Sequence, residues 1–85
     1  MIVITVVLLG KLADLAGAPT LTLPAPSSAP LDWAGVLAAL PPALAAAADD
    51  PRNRVAVNGA LLADKAELQA GAGDEIALLP PVSGG

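Results

Sequence analysis

The last six residues of this chain, Pro80-Pro81-Val82-Ser83-Gly84-Gly85, are the ones whose types and order suit chemistry. Glycine has no Cβ, so Gly84 and Gly85 can enter a slot too narrow for any other residue. The group at the tip is then the free carboxylate of Gly85, carried on a thin tether. A carboxylate resists nucleophiles until it is given a leaving group. The terminus itself is then the useful group of this chain. The rings of Pro80 and Pro81 fix φ, which holds the stem extended and lowers the entropy lost when a partner orders it. Leu79 and Val82 offer that partner apolar anchors, and Ser83 is small enough for a narrow site.

The other residues offer little chemistry. The sequence has no cysteine, histidine or tyrosine. Disulfides and thiolate metal sites are excluded, and no side-chain type present titrates near neutrality in an unperturbed setting. The carboxylates show no spacing that suggests an acid–base pair or a metal site, so no metal and no bound cofactor is expected. The formal net charge of −4 argues against nucleic acid, which is bound by clustered Lys and Arg. It would instead help steer the domain to a basic protein cleft. The apolar run Ile2 to Leu9 lacks the flanks of a signal peptide and is too short to span a bilayer, and the run Val36 to Ala48 is broken by Pro41-Pro42. The reading is a cytoplasmic protein with no membrane partner.

Eighty-five residues make one domain with a small core. With 55% hydrophobic residues and Trp33 as the one aromatic, that core is built from Leu, Val, Ile and Ala. The β-branched run Ile2 to Leu9 hardly alternates and reads as a strand buried on both faces. A short helical turn over Lys11 to Ala16, closed by Gly17, precedes an alternating strand, Thr20 to Leu23. Residues Pro24 to Pro30 read as a loop. Asp32 is placed as an N-cap, and Trp33, Val36, Leu37, Leu40 and Leu44 form one helical stripe expected in the core. Pro41-Pro42 ends or kinks that helix, with a second short one over Ala43 to Ala48. Arg54 to Val57 is a strand entering an Asn58-Gly59 hairpin, and Ala60 to Leu62 returns. Asp64 caps a helical turn, Gly71 to Asp74 is a turn, and Glu75 to Leu79 is the last strand. The first and last strands are the most apolar, so they are expected to pair at the sheet centre. The fold class is α+β, a ubiquitin-like β-grasp roll with a mixed sheet and one main helix across it. Residues 1–79 form the domain and 80–85 a protruding tail.

The stretch Val55-Ala56-Val57-Asn58-Gly59, followed by Gly73-Asp74-Glu75-Ile76-Ala77-Leu78-Leu79-Pro80-Pro81-Val82-Ser83-Gly84-Gly85, resembles the MoaD/ThiS family of sulfur carriers. Within it the small subunit of molybdopterin synthase is the nearest likeness. Lys11-Leu12-Ala13-Asp14-Leu15-Ala16-Gly17 also fits, and the likeness covers nearly the whole chain. Relatives often carry an aromatic just before the two prolines, where this chain has Leu78-Leu79. The resemblance implies a mechanism. A partner adenylating enzyme, similar to those that activate ubiquitin, uses ATP to join AMP to the Gly85 carboxylate. A sulfur donor protein converts the acyl-adenylate to a thiocarboxylate. The tail then enters the large catalytic subunit of molybdopterin synthase and gives its sulfur to a cyclic pyranopterin precursor. The chain would be the sulfur-bearing subunit of a hetero-oligomer and not catalytic alone.

Three other readings stay open. A carrier for thiamine thiazole synthesis has a similar fold and tail, though it is usually shorter. A ubiquitin-like modifier would use the same activation and then join Gly85 to target lysines. A stand-alone binding domain would have no use for the tail, and deleting Gly84 and Gly85 would leave its function intact.

Overall fold

The computed structural model describes residues 3–25 and 29–80. Its elements, in chain order, are β1 (Val3–Leu8), α1 (Lys11–Ala16), β2 (Thr20–Pro24), α2 (Trp33–Ala39), α3 (Pro42–Ala48), β3 (Arg54–Val57), β4 (Ala60–Leu61), a 3-10 turn (Lys65–Glu67) and β5 (Glu75–Leu79). The five strands form one mixed sheet in the order β2-β1-β5-β3-β4. β1 and β5 pair in parallel at its centre, as their apolar character predicts, and the other pairings are antiparallel. This is the β-grasp roll expected from the sequence.

The strands alternate more than their sequences do. In β1, Ile4, Val6 and Leu8 are buried, whereas Val3, Thr5 and Val7 are half-buried. The expectation of a strand buried on both faces is therefore corrected. All three helices contribute core residues to one side of the sheet, where Leu12, Val36, Leu40, Leu44 and Ala48 cluster with Ile4, Val6, Leu8, Val55, Ile76 and Leu78. Among the described residues no helix covers the other side. The helical layer is also divided, because α2 stops at Ala39 and α3 begins at Pro42. Proline at the start of α3 costs no hydrogen bond, since the first N–H groups of a helix have no partner within it.

Two local readings change in the structure. Of the predicted helical stripe, Val36, Leu40 and Leu44 are buried, but Trp33 and Leu37 lie half-buried at the margin. The Trp33 indole Nε1–H donates to Asp49 Oδ1 at 3.0 Å, so a polar tip holds the ring at the edge. Pro24, read as loop, closes β2 opposite Val3. An edge strand tolerates it because its missing N–H has no neighbour to serve. The Asp32 cap is present, its carboxylate accepting from the Gly35 N–H at 2.8 Å. Asn58 and Gly59 both have positive φ, 50° and 85°, which is the twist a two-residue hairpin needs.

Candidate functional site

β5 positions the tail, so the site begins with what fixes β5. At its entry, the Asn58 amide donates to Asp74 Oδ1 at 3.1 Å while its side-chain oxygen accepts from the Glu75 N–H at 2.9 Å. Asp74 also accepts from the Gly71 N–H, and that bond, with the Asn58 contact second, draws its carboxyl below the ordinary range. The β3–β4 turn is thereby tied to the start of β5. Along its length, β5 is hydrogen-bonded on both sides, and Ile76 and Leu78 are fully buried. At its exit, Leu79 is half-buried opposite Arg54.

Pro80 then enters a cleft of about 240 Å³ lined by Lys11, Leu12, Leu15, Asp50, Arg52 and Asn53 among others. Its ring packs against the turn after β1, where a Cβ built on Gly10 would meet Pro80 Cγ at 3.3 Å. Gly10 also has φ of +55°, so the turn and the close approach both call for glycine. Of the residues the sequence singled out, Leu79 and Pro80 are thus placed at the end of the central strand. Pro81, Val82, Ser83, Gly84 and Gly85 lie outside the described residues.

The structure adds features that the sequence did not signal. Three of the four basic side chains, Lys11, Arg52 and Arg54, gather where the chain leaves the sheet, although the chain as a whole is acidic. Arg52 is paired with Asp50 at 2.8 Å, and its hydrogen bonds pull the Asp50 carboxyl down to about 2. Beside this, α3 ends on side-chain donors. Buried Asn53 donates to the Ala47 and Ala48 carbonyls at 2.8 and 3.2 Å. Lys65 Nζ donates to the Ala48 and Asp50 carbonyls and lies 5.4 Å from the centre of the Trp33 ring.

The uncovered side of the sheet supplies a surface. Residues opposite one another in register share a face, so Val7, Ala77, Ala56 and Leu61 form an apolar row across four strands. Leu79 lies on that face beside the row, and Leu61 is 55% exposed. The row borders the tail exit, where a partner gripping the tail would meet it. Among the described residues there is no group of three or more acidic side chains able to hold a metal. No helix there is long and apolar enough to cross a membrane.

The ThiS family model matches residues 6–85, which includes the whole of the tail motif. This chain belongs to the ThiS family. Its fold is also that of SAMP1 from Haloferax volcanii, with a TM-score of 0.74 and 30% identity over 98% of this chain and 99% of that one. Small archaeal modifier protein 1 from Methanosarcina acetivorans is similar at 27% identity, covering 100% of this chain and 98% of its own, with a TM-score of 0.71. The HVO 2177 protein of Haloferax volcanii shares the fold at 18% identity, over 99% of this chain and 87% of that one, with a TM-score of 0.73. No curated protein sequence matches the chain. The ThiS-family chain thus has a ubiquitin-like fold that it shares with these small archaeal modifier proteins.

Proposed function

We propose that this protein is the sulfur carrier subunit of molybdopterin synthase. The observation that carries the proposal is the sequence Pro80-Pro81-Val82-Ser83-Gly84-Gly85 continuing from the central strand of a domain otherwise poor in reactive side chains. In the first step a Gly85 carboxylate oxygen attacks the α-phosphorus of ATP on an adenylating enzyme, and pyrophosphate leaves. Hydrosulfide, the form in which the donor must deliver its sulfur, then attacks the acyl carbon; a C–S bond forms, AMP departs with the electron pair of the broken C–O bond, the S–H proton is lost, and a thiocarboxylate remains. Gly84 lets the tail thread a channel, Pro80 and Pro81 keep it extended, and Leu79, Val82 and Ser83 contact the channel walls. The apolar row beside Leu79 would seat the partner, first the adenylating enzyme and then the large synthase subunit, which holds the pyranopterin substrate.

A second reading is favoured by the 30% identity to SAMP1 and by the likeness to a protein named as a modifier. In it the activated Gly85 acyl group passes to a lysine amine on another protein. Intact mass separates the two after incubation with an adenylating enzyme, ATP and a sulfide source. Exchange of one oxygen for sulfur, lost when Gly85 is deleted, supports the carrier. An unchanged mass, beside a control carrier that the same enzyme converts, overturns it. Conjugates of higher mass that need Gly85 support the modifier.

A further inference from the structure

We infer that the cleft beside Pro80 is a docking pocket for one large apolar side chain of the enzyme that activates Gly85, with a carboxylate of that enzyme meeting Lys11 at its rim. The inference rests on the adenylation step common to both readings above and names a contact for it on the helical side of the tail root. The cleft holds about 240 Å³. Pockets for small molecules run from about 300 to 1,000 Å³, so a nucleotide is too large and a single side chain is the right size. The lining is largely apolar. Leu12 and Leu15, three residues apart on α1, lie on the same side of that helix. Leu12 forms the floor at 2% exposure, whereas Leu15 stands at the lip at 55%. Ala47 of α3 and the Pro80 ring also line the cleft.

The polar groups around the cleft decide what else the occupant carries. The Asn53 amide is spent on the Ala47 and Ala48 carbonyls. The Asp50 carboxylate accepts from the Arg52 backbone N–H at 2.9 Å and from its guanidinium at 2.8 Å, so those two charges answer each other. Lys11 remains. It is exposed, and among the described residues no carboxylate forms an ion pair with it. It is the first residue of α1, where a cation gains nothing from the helix dipole, so local stability does not account for its charge. The rim is therefore left positive on a chain whose formal net charge is −4. A carboxylate on the visitor complements it, whereas a second copy of this acidic chain brings mostly like charge. An apolar anchor in a pocket with a charged rim is the arrangement in which binding energy concentrates. The cleft also flanks the same strand exit as the apolar row, since Leu79 lies on the face of the row and Pro80 lines the cleft. One enzyme that takes the tail thereby meets both.

The test is adenylation of the full-length chain by its activating enzyme, read as pyrophosphate exchange with the chain as the varied substrate. Leu15→Gln keeps a good helix former but makes the lip polar, and it is expected to raise KM about tenfold. Leu15→Met, which keeps the lip apolar, is expected to stay within about twofold of the native chain. Lys11→Glu is expected to raise KM about fivefold, and about 0.5 M salt should shrink that rise while sparing the one from Leu15→Gln. Circular dichroism checks the fold of each variant, and Lys11→Glu reads the same contact from an exposed position should Leu15→Gln fail to fold. An unchanged KM in folded Leu15→Gln overturns the inference and leaves adenylation standing. Loss of self-association in Leu15→Gln by sedimentation, with KM unchanged, overturns it in favour of a second copy. An effect of Leu15→Met as large as that of Leu15→Gln assigns the change to α1 itself and overturns it too. No Gly85-dependent exchange by the native chain, beside a control carrier that the enzyme activates, overturns the adenylation reading and the inference together.

Discussion

The two faces of the central strands carry similar side chains and lead different lives. On the covered face, Ile4, Val6, Leu8, Ile76 and Leu78 are buried under three helices. On the uncovered face, Val7, Ala77 and Leu79 are only half-buried, and Leu61 extends the apolar row to the sheet edge. A small acidic protein gains nothing in solubility from an apolar row in water. The difference teaches that one face holds the fold together while the other keeps an apolar row that no described helix covers. The same division runs along β5, which enters the sheet beside Asp74 and leaves it beside Arg54.

Stability measurements can break that comparison. Leu78→Ala removes a fully buried side chain and is expected to cost about 2–5 kcal/mol in urea unfolding. A loss below about 1 kcal/mol would mean that the covered face is not the core. Leu61→Ser, on the uncovered face, is expected to change unfolding by no more than about 0.5 kcal/mol. Affinity for the adenylating enzyme should nevertheless fall about tenfold, read by calorimetry, if the row is part of a buried interface. Unchanged affinity would leave the partner surface elsewhere.

The smallest effect sharpens the picture at the tail root. Asp50 is held at about 2, chiefly by the hydrogen bond from the Arg52 side chain, below its ordinary 3.8. A carboxyl with a lowered folded pKa stabilises above its unfolded value, and that contribution fades as pH falls through the folded one. The melting temperature of the native protein should therefore exceed that of Asp50→Asn slightly above about pH 4, and the gap should close toward pH 2. Because the pair is exposed, 1 M salt should shrink the gap as well. A gap independent of pH would assign the effect to something other than the Asp50–Arg52 pair.

Much of the fold was legible because its signals are local. The Asn58-Gly59 turn, the Asp32 cap, the break at Pro41-Pro42 and the alternation of Thr20 to Leu23 each depend on a few adjacent residues, and each stands as read. The central pairing of β1 and β5 followed from their shared apolar character. The reading of β1 as buried on both faces failed for a physical reason. Periodicity reveals a face only when the two sides differ in polarity, and in β1 only Thr5 breaks the apolar run. Trp33 was misplaced because helical spacing gives a direction and not a depth. Asn53 and Lys65 carried no signal, since the carbonyls they satisfy belong to a helix that ends five or more residues earlier.

By itself the sequence determined which segments become strands and helices and where they turn. These properties reside in bonded geometry and short-range hydrogen bonds, which neighbouring residues fix. The tertiary structure alone decided which side of the sheet the helices cover, and so which apolar row stays open. It also decided that Lys65 is tied to the end of α3 while Lys11 lines the cleft that holds Pro80. Each of these depends on contacts between residues far apart in the chain, and no local pattern encodes such a contact until packing forms it.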